Sequence, residues 1–459
     1  MKRIAIIGGG MAGLAAAHHL QHHAGDVDWQ LYEQAPRLGG KVVTDHVDGF
    51  TIEGGPDSFI TQKPWGLALC RELGLEPELM PCNEASQKIY ILVRNRLCTL
   101  PAGFRLTVPT RIGPFLQSPL FSWGAKLRMG LEVFIPPRTD NEDESVAAFI
   151  TRRLGREAAE KIGGPLMAGI YVADPERLSL LSTFPMFRAM ERKHGSLIRA
   201  MRQARTASAG APPMFMSLRR GMQRLTDRIS APLADRCRTG AAVTGLERAD
   251  GGYAVVEADR RSVYDAVILA CPLDAASGLL TGLAPRTAAT LAAVRYVSTA
   301  TVSLGYRLPL DGVAQPLDAF GFVIPAAENR PILACTFSSS KFDARAPDGH
   351  ALLRVFVGGE GREALVEQDD DALIRLVREE LRAILGLRAE PLVARVYRWP
   401  RGNPQYDVGH AARMQAALDE VHALPGLDLA GSGYQGIGLP DCIHSGQTAA
   451  DRVLNGLSA

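Results

Sequence analysis

Gly8-Gly9-Gly10-Met11-Ala12-Gly13 is the first run in the chain whose residue types and spacing could do chemistry. Gly8 permits a sharp turn, Gly10 lets a pyrophosphate approach the backbone, and Gly13 lets a helix pack close to a sheet. At the start of that helix, the N–H groups of Met11, Ala12 and Gly13 and the positive end of the dipole favour phosphate. Glu33 follows twenty residues past Gly13, where a carboxylate can accept hydrogen bonds from a ribose diol. The pattern predicts a bound dinucleotide. Beyond the acid, Arg37 can reach a pyrophosphate, and Gly39 and Gly40 allow backbone amides to approach a ring system. Gly54-Gly55-Pro56-Asp57-Ser58 is a second loop built for close approach.

These residues need elements to hold them. The apolar run Arg3 to Ile7 predicts a strand, Ala-rich Leu14 to Leu20 a helix, and Val27 to Tyr32 the strand that delivers Glu33. Met1-Lys2-Arg3 and the uncharged stretch behind it imitate a signal peptide. The glycines inside that stretch and the four histidines at its end make it a poor apolar helix, so it reads as part of the fold. Further on, Ala241 to Ala258 predicts a hairpin turning at Asp250-Gly251-Gly252. Tyr264 to Pro272 and Leu427 to Gly431 read as buried strands of the first sheet, which the hairpin is also expected to join. A helix over Cys442 to Leu454, with Asp441 as its N-cap, follows the Gly436/Gly438 loop. Leu106 to Arg205 is helical in pattern. Strands are expected over Thr299 to Tyr306, Ala319 to Ile324, Ile332 to Phe337 and Leu352 to Val357, with an amphipathic helix over Asp369 to Leu385.

Composition narrows the function classes. The 459 residues, 46% hydrophobic and 22% charged, describe a large globular protein, and a net charge of +2 gives no sign of a nucleic-acid partner. Seven cysteines without a C-x-x-C or a Cys/His cluster argue against a disulfide scaffold and a metal site, and suit a reducing cytoplasm. Charge is uneven, however. Residues 188–228 carry ten Lys/Arg against two acids, a local +8 that fits anionic lipid or an anionic substrate near a pocket mouth.

The extension from Glu33 through Arg37 to Gly39-Gly40 resembles that of flavoproteins of the amine oxidase and porphyrinogen oxidase superfamily. The longer resemblance, to flavin-dependent porphyrinogen oxidases, rests on Gly54 to Ser58, Gly169-Ile170-Tyr171 with Leu178-Ser179 and Phe184-Pro185, Phe320 to Pro325, Asn403 to His410, and Gly438 to Cys442. It implies an α/β (α+β) fold: a Rossmann-like FAD-binding domain, a β-sheet substrate domain and a helical domain that contacts the membrane. The expected segments are 1–85, 211–275 and 393–459 for FAD, 86–105 and 276–392 for substrate, and 106–210 for the helical domain. FAD is the implied cofactor, with Val243 beside the adenine and Ile437, Gly438 and Leu439 near the flavin.

The implied activity is oxidation of protoporphyrinogen IX by dioxygen in haem biosynthesis, in three two-electron steps that release hydrogen peroxide. Coproporphyrinogen III is the alternative substrate. No side chain is implied to be catalytic, because flavin N5 accepts the hydride. A dry slot would hold the macrocycle, lined by Phe320, Val323 and Phe356, with a backbone carbonyl at Gly169 and a propionate anchor at Lys88. Lys88 stands where relatives often carry Arg, and so lacks bidentate carboxylate geometry; Ser432 stands where they often carry Asn. Phe320 and Val323 are three apart and face opposite sides of a regular strand, so their sharing a slot requires a bend near Gly321. A homodimer and a peripheral place on the inner face of the cell membrane are compatible with the resemblance. Competing readings are a flavin amine oxidase, with Trp399 as an aromatic wall, a carotenoid desaturase, and a prenyl-GTPase escort protein that binds no flavin.

Overall fold

The computed structural model describes the chain except residues 24, 26, 102, 106, 205–212, 314–315 and 459. The start of the expected helical segment at Leu106 and its end near residue 210 therefore lie outside the described residues.

Strand β1 (Lys2–Ile7) runs into helix α1 (Met11–His23), which leads to β2 (Val27–Glu33). Ile4 to Ile6 are wholly buried, as a strand covered on both faces requires. The parallel sheet orders Cys237–Thr239, β2, β1, Ala266–Leu269 and Leu427–Leu429 side by side. Every strand thus ends at the same edge, where the Gly8 loop turns. The hairpin Gly245–Ala249/Gly252–Val256 forms with Arg261–Tyr264 a small separate sheet instead of joining this one. Cys237–Thr239 takes the place beside β2.

The second layer is a seven-stranded sheet, ordered Val393–Pro404, Tyr296–Arg307, His350–Gly358, Ile332–Phe337, Gly321–Val323, Ile89–Val93 and Arg96–Thr99. One face is closed by helix Asp370–Leu385, whose Leu373, Val377, Leu381 and Leu385 pack in one core with Leu353, Val355 and Val357. The other face is open to the rest of the molecule. Val393–Pro404, expected to begin the last FAD segment, pairs instead along Tyr296–Arg307. Its mostly half-buried residues suit an edge strand covered on one face.

The helical part, from Ile112–Gln117 to Leu197–Ala204, shares its core with Ile91, Val93 and Val323 of the second sheet. Its centre is charged: Arg153 and Glu132 are wholly buried partners, and Arg188, Glu191, Glu144 and Arg152 extend the network. Each buried guanidinium finds a carboxylate, which keeps the desolvation cost from falling on an unpaired ion. This disposes of part of the expected basic patch. Arg188 is an interior ion, Arg224 pairs with Glu78, and Arg228 donates to the Leu73 carbonyl.

Candidate active site

At the end of β1, Gly8 holds φ at +114°, and a Cβ there would meet the Ala270 carbonyl oxygen at 2.6 Å. A Cβ on Gly13 would stand 1.8 Å from the Gly8 oxygen, so α1 packs at a distance only glycine allows. Gly10 differs: nothing lies within 4 Å of the position its Cβ would take. That open cradle, with the amides of Met11, Ala12 and Gly13 in the first turn of α1, fits a pyrophosphate. Glu33 is turned inward. Its Oε2 accepts the Gly9 N–H at 2.6 Å and its Oε1 the Ala35 N–H at 2.8 Å, so it braces the loop, with a further lone pair on each oxygen. Arg37 folds over its own loop and donates to the carbonyls of Leu38, Gly40 and Val42. Gly39 and Gly40, both at positive φ, lay this second loop on the first, with the Gly40 Cβ position 3.1 Å from Gly10 Cα. Val243 is half-buried close to the end of β2, where Ala241 donates to the Glu33 carbonyl.

The Gly54–Ser58 loop is held by buried charge. Strand Phe50–Glu53 delivers Gly54, Gly55, Pro56 and Asp57 between the two main sheets. Arg354, on the seven-stranded sheet, donates to the Gly54 and Gly55 carbonyls, and Trp399 Nε1 donates to the Gly54 carbonyl at 2.9 Å. A Cβ at Gly55 would fall 1.7 Å from the Lys41 oxygen. Burial alone would raise the Asp57 pKa, but Lys341 at 2.8 Å and Arg354 outweigh it and hold the carboxylate well below the usual range. Glu53 goes the other way. Burial pushes it up to about 7 against the pull of Arg345, while Thr44 Oγ1 and the Met222 amide donate to it. The C-terminal helix begins at Leu439, not at Cys442. Asp441 is therefore in its first turn, where Oδ2 accepts the Gly438 N–H at 3.2 Å, and it also pairs with Lys63. Pro440 starts the helix early, because its fixed φ suits the first turn.

A cavity of about 2520 Å³ opens where the three parts meet. Phe320, Val323 and Phe356 line it from the seven-stranded sheet, Gly169 and Tyr171 from the helical part, Ser58 from the Gly54 loop, and Ile437, Gly438 and Leu439 from the start of the C-terminal helix. The bend that Phe320 and Val323 require is present: Gly321 has φ +139°, and a Cβ there would lie 1.9 Å from the Cys335 oxygen. Phe322 then points into the opposite core. Gly169 follows the wide π-helical turn Ala159–Ala168, and its carbonyl already accepts the Val172 amide at 3.3 Å. Lys88 lies at the rim, half-exposed, with Nζ 2.7 Å from Asp318 Oδ2; the ion pair raises the Lys88 pKa. Gly8 to Gly13, Glu33, Arg37 and Val243 do not line the cavity.

The charge of the lining also departs from expectation. Lys63, Lys88, Arg152, Arg156 and Arg362 stand against Glu84, Glu160, Asp174, Glu176, Glu360 and Asp441. From residues 188–228 the described lining takes only Met190, Met201, Met214 and Phe215, so the local +8 does not reach this space. Trp399 lies outside it as well.

Residues 11–454 match the model of the flavin-containing amine oxidoreductase family. The chain belongs to that family. It is an FAD-dependent oxidoreductase of mixed α/β architecture, similar over 99% of its length to the coproporphyrinogen III oxidase of Bacillus subtilis (36% identity, 98% of that chain). Protoporphyrinogen oxidase of Bos taurus is 31% identical, again over 99% of this oxidoreductase and 98% of the relative. The crystal structure of a provisionally named protoporphyrinogen oxidase from Exiguobacterium sp. 255-15 superposes with a TM-score of 0.88 at 33% identity, covering 99% of both chains.

Several residues that build this oxidoreductase's site gave no signal in the sequence. Lys341, Arg345 and Arg354 approach the Gly54 loop from about three hundred positions away, and Lys63 meets Asp441 across a similar separation. The available cue was Arg354 itself, a cation inside the apolar run Leu352 to Val357, which must find a buried partner.

Glu53 gives a pH test. Its folded pKa of about 7 lies above the ordinary 4.5, so its contribution is fully present below about pH 4.5 and is lost as pH rises through 7. Glu53→Gln should flatten the fall in Tm between those limits relative to the parent protein, as read by thermal unfolding across that range.

Proposed function

We propose that this chain is a porphyrinogen oxidase of haem biosynthesis, with coproporphyrinogen III as its preferred substrate. The observation that carries the reading is the cavity: wide, bounded by aromatic and aliphatic side chains of two layers, and reaching Ile437–Leu439, which this reading sets beside the flavin. The names of relatives at 36%, 34% and 32% identity support the four-propionate substrate. Protoporphyrinogen IX, with two propionates, is the second reading, favoured by the near balance of cations and acids around the rim.

The chemistry asks position of the protein more than proton transfer. FAD, held by the Gly8–Gly13 loop, Glu33 and the Gly54–Asp57 loop, supplies two-electron redox chemistry when bound. Phe320, Val323 and Phe356 bound the macrocycle from one side and exclude water. Lys88 meets a carboxylate at the rim. Removing six electrons and six protons from a porphyrinogen gives the aromatic porphyrin, and three molecules of dioxygen take them up as three of hydrogen peroxide. Positioning in a dry slot is sufficient because aromatisation supplies the driving force.

We extend the proposal to peripheral membrane contact. Among the described residues no helix is long and apolar enough to cross a membrane. The helical part nevertheless leaves Ile112, Trp123, Leu127 and Phe134 more than 60% exposed, with Lys126 against the Trp123 ring. Such side chains suit the interfacial zone of a bilayer.

Purified protein is expected to be yellow and to turn coproporphyrinogen III into fluorescent porphyrin with three peroxides per ring. Inactivity on both porphyrinogens, or a colourless protein, sinks the proposal. Lys88→Ala should raise KM several-fold with little change in kcat, because binding common to ground and transition states is lost; steady-state kinetics checks this. Co-sedimentation with anionic vesicles should weaken clearly in Trp123→Ala.

A further inference from the structure

Four histidines close α1, and neither the cavity nor the glycine loop uses them. His18 and His22 stand one turn apart on the same face, with ring centroids 4.3 Å apart. Glu72, the last residue of helix α2 (Trp65–Glu72), reaches across to them, its Oε1 3.1 Å from His18 Nε2. One ligand atom from each of the three side chains falls within 4.8 Å of the others.

We propose that His18, His22 and Glu72 form a binding site for one divalent transition-metal ion of the zinc class, clamping the end of α1 to the end of α2. Two imidazoles and a carboxylate are a donor set that prefers zinc, nickel or copper to magnesium or calcium. The 3.1 Å between His18 Nε2 and Glu72 Oε1 is close to the edge of a tetrahedron with metal–ligand bonds of about 2.0 Å, which is about 3.3 Å. His22 is oriented for the role. Its Nδ1–H donates to the His18 carbonyl at 2.8 Å, which fixes the tautomer and leaves Nε2 as the lone-pair donor, the arrangement that metal-binding histidines use. Two helices also end here, so the negative ends of both dipoles favour a cation.

Access and chemistry agree with this geometry. His18 is buried, while His22 and Glu72 are exposed, so an ion can enter from solvent and complete its shell with water. None of the three lines the large cavity. A second pair, His19 and His23, faces Asp451, but among the described residues only the first set brings three ligand atoms together. It serves as an internal control.

The test is calorimetric titration of the flavin-loaded protein with zinc chloride after removal of metals by chelator, together with Tm at each zinc concentration. One equivalent should bind, and Tm should rise with saturation, because an ion bound only by the folded state stabilises it. His22→Ala and Glu72→Gln should each weaken zinc affinity at least about tenfold and abolish the Tm rise. His23→Ala should leave both unchanged. The proposal is overturned by the absence of saturable binding, by wild-type affinity in His22→Ala or Glu72→Gln, or by equal loss in His23→Ala. Flavin absorbance, measured in every variant, reports that the fold is retained.

Discussion

Arg354 fixes the Gly54–Asp57 loop to the seven-stranded sheet. It leaves that sheet, is almost wholly buried, and donates to the carbonyls of Gly54 and Gly55 in the loop that follows strand Phe50–Glu53, one half of a separate two-stranded sheet. A guanidinium in such a place requires partners in fixed directions, because an unmatched buried charge costs several kcal/mol. Asp57 supplies the counter-charge, shared with Lys341, and Glu53 does the same for Arg345. The loop between these acids has no side chains at Gly54 and Gly55, and cannot have them: Tyr397 and the Lys41 carbonyl already occupy the positions. The loop and the sheet face are thus held together by ions that do not themselves line the cavity.

This arrangement suits a redox reaction in which the side chains do little bond-making. The described lining holds no pair of groups placed as nucleophile and base. What the sequence provides is shape. Gly321 bends the strand so that Phe320 and Val323 share a side, and the wide turn Ala159–Ala168 brings Gly169 to the opposite wall. At Gly321 the shape rests on a positive φ that most residues avoid, and at Ala159–Ala168 on a helical turn wider than the ordinary one.

Local signals were legible and distant ones were not. The Gly8–Gly13 loop could be read because its glycines stand at fixed spacing between an apolar strand run and an Ala-rich helix, and helix Asp370–Leu385 because its apolar stripe has the period of a helix. The bend at Gly321 could be anticipated by alternation alone. Asp441 misled, since an N-cap residue type also serves in the first turn when proline opens the helix. Val393–Pro404 misled too, because charged side chains at an edge strand hide its alternation. The local excess of cations in residues 188–228 counted Arg188 as a surface charge, although its carboxylate partners Glu144 and Glu191 place it in the interior. Glu191, three residues on, lies inside that stretch, but Glu144 is 44 positions upstream and outside it.

Lys88 enters the free protein already paired with Asp318, both half in solvent. In the proposed binding mode a carboxylate reaching Lys88 has to displace Asp318, so the worth of this anchor is the difference between two half-solvated ion pairs and not the whole of one.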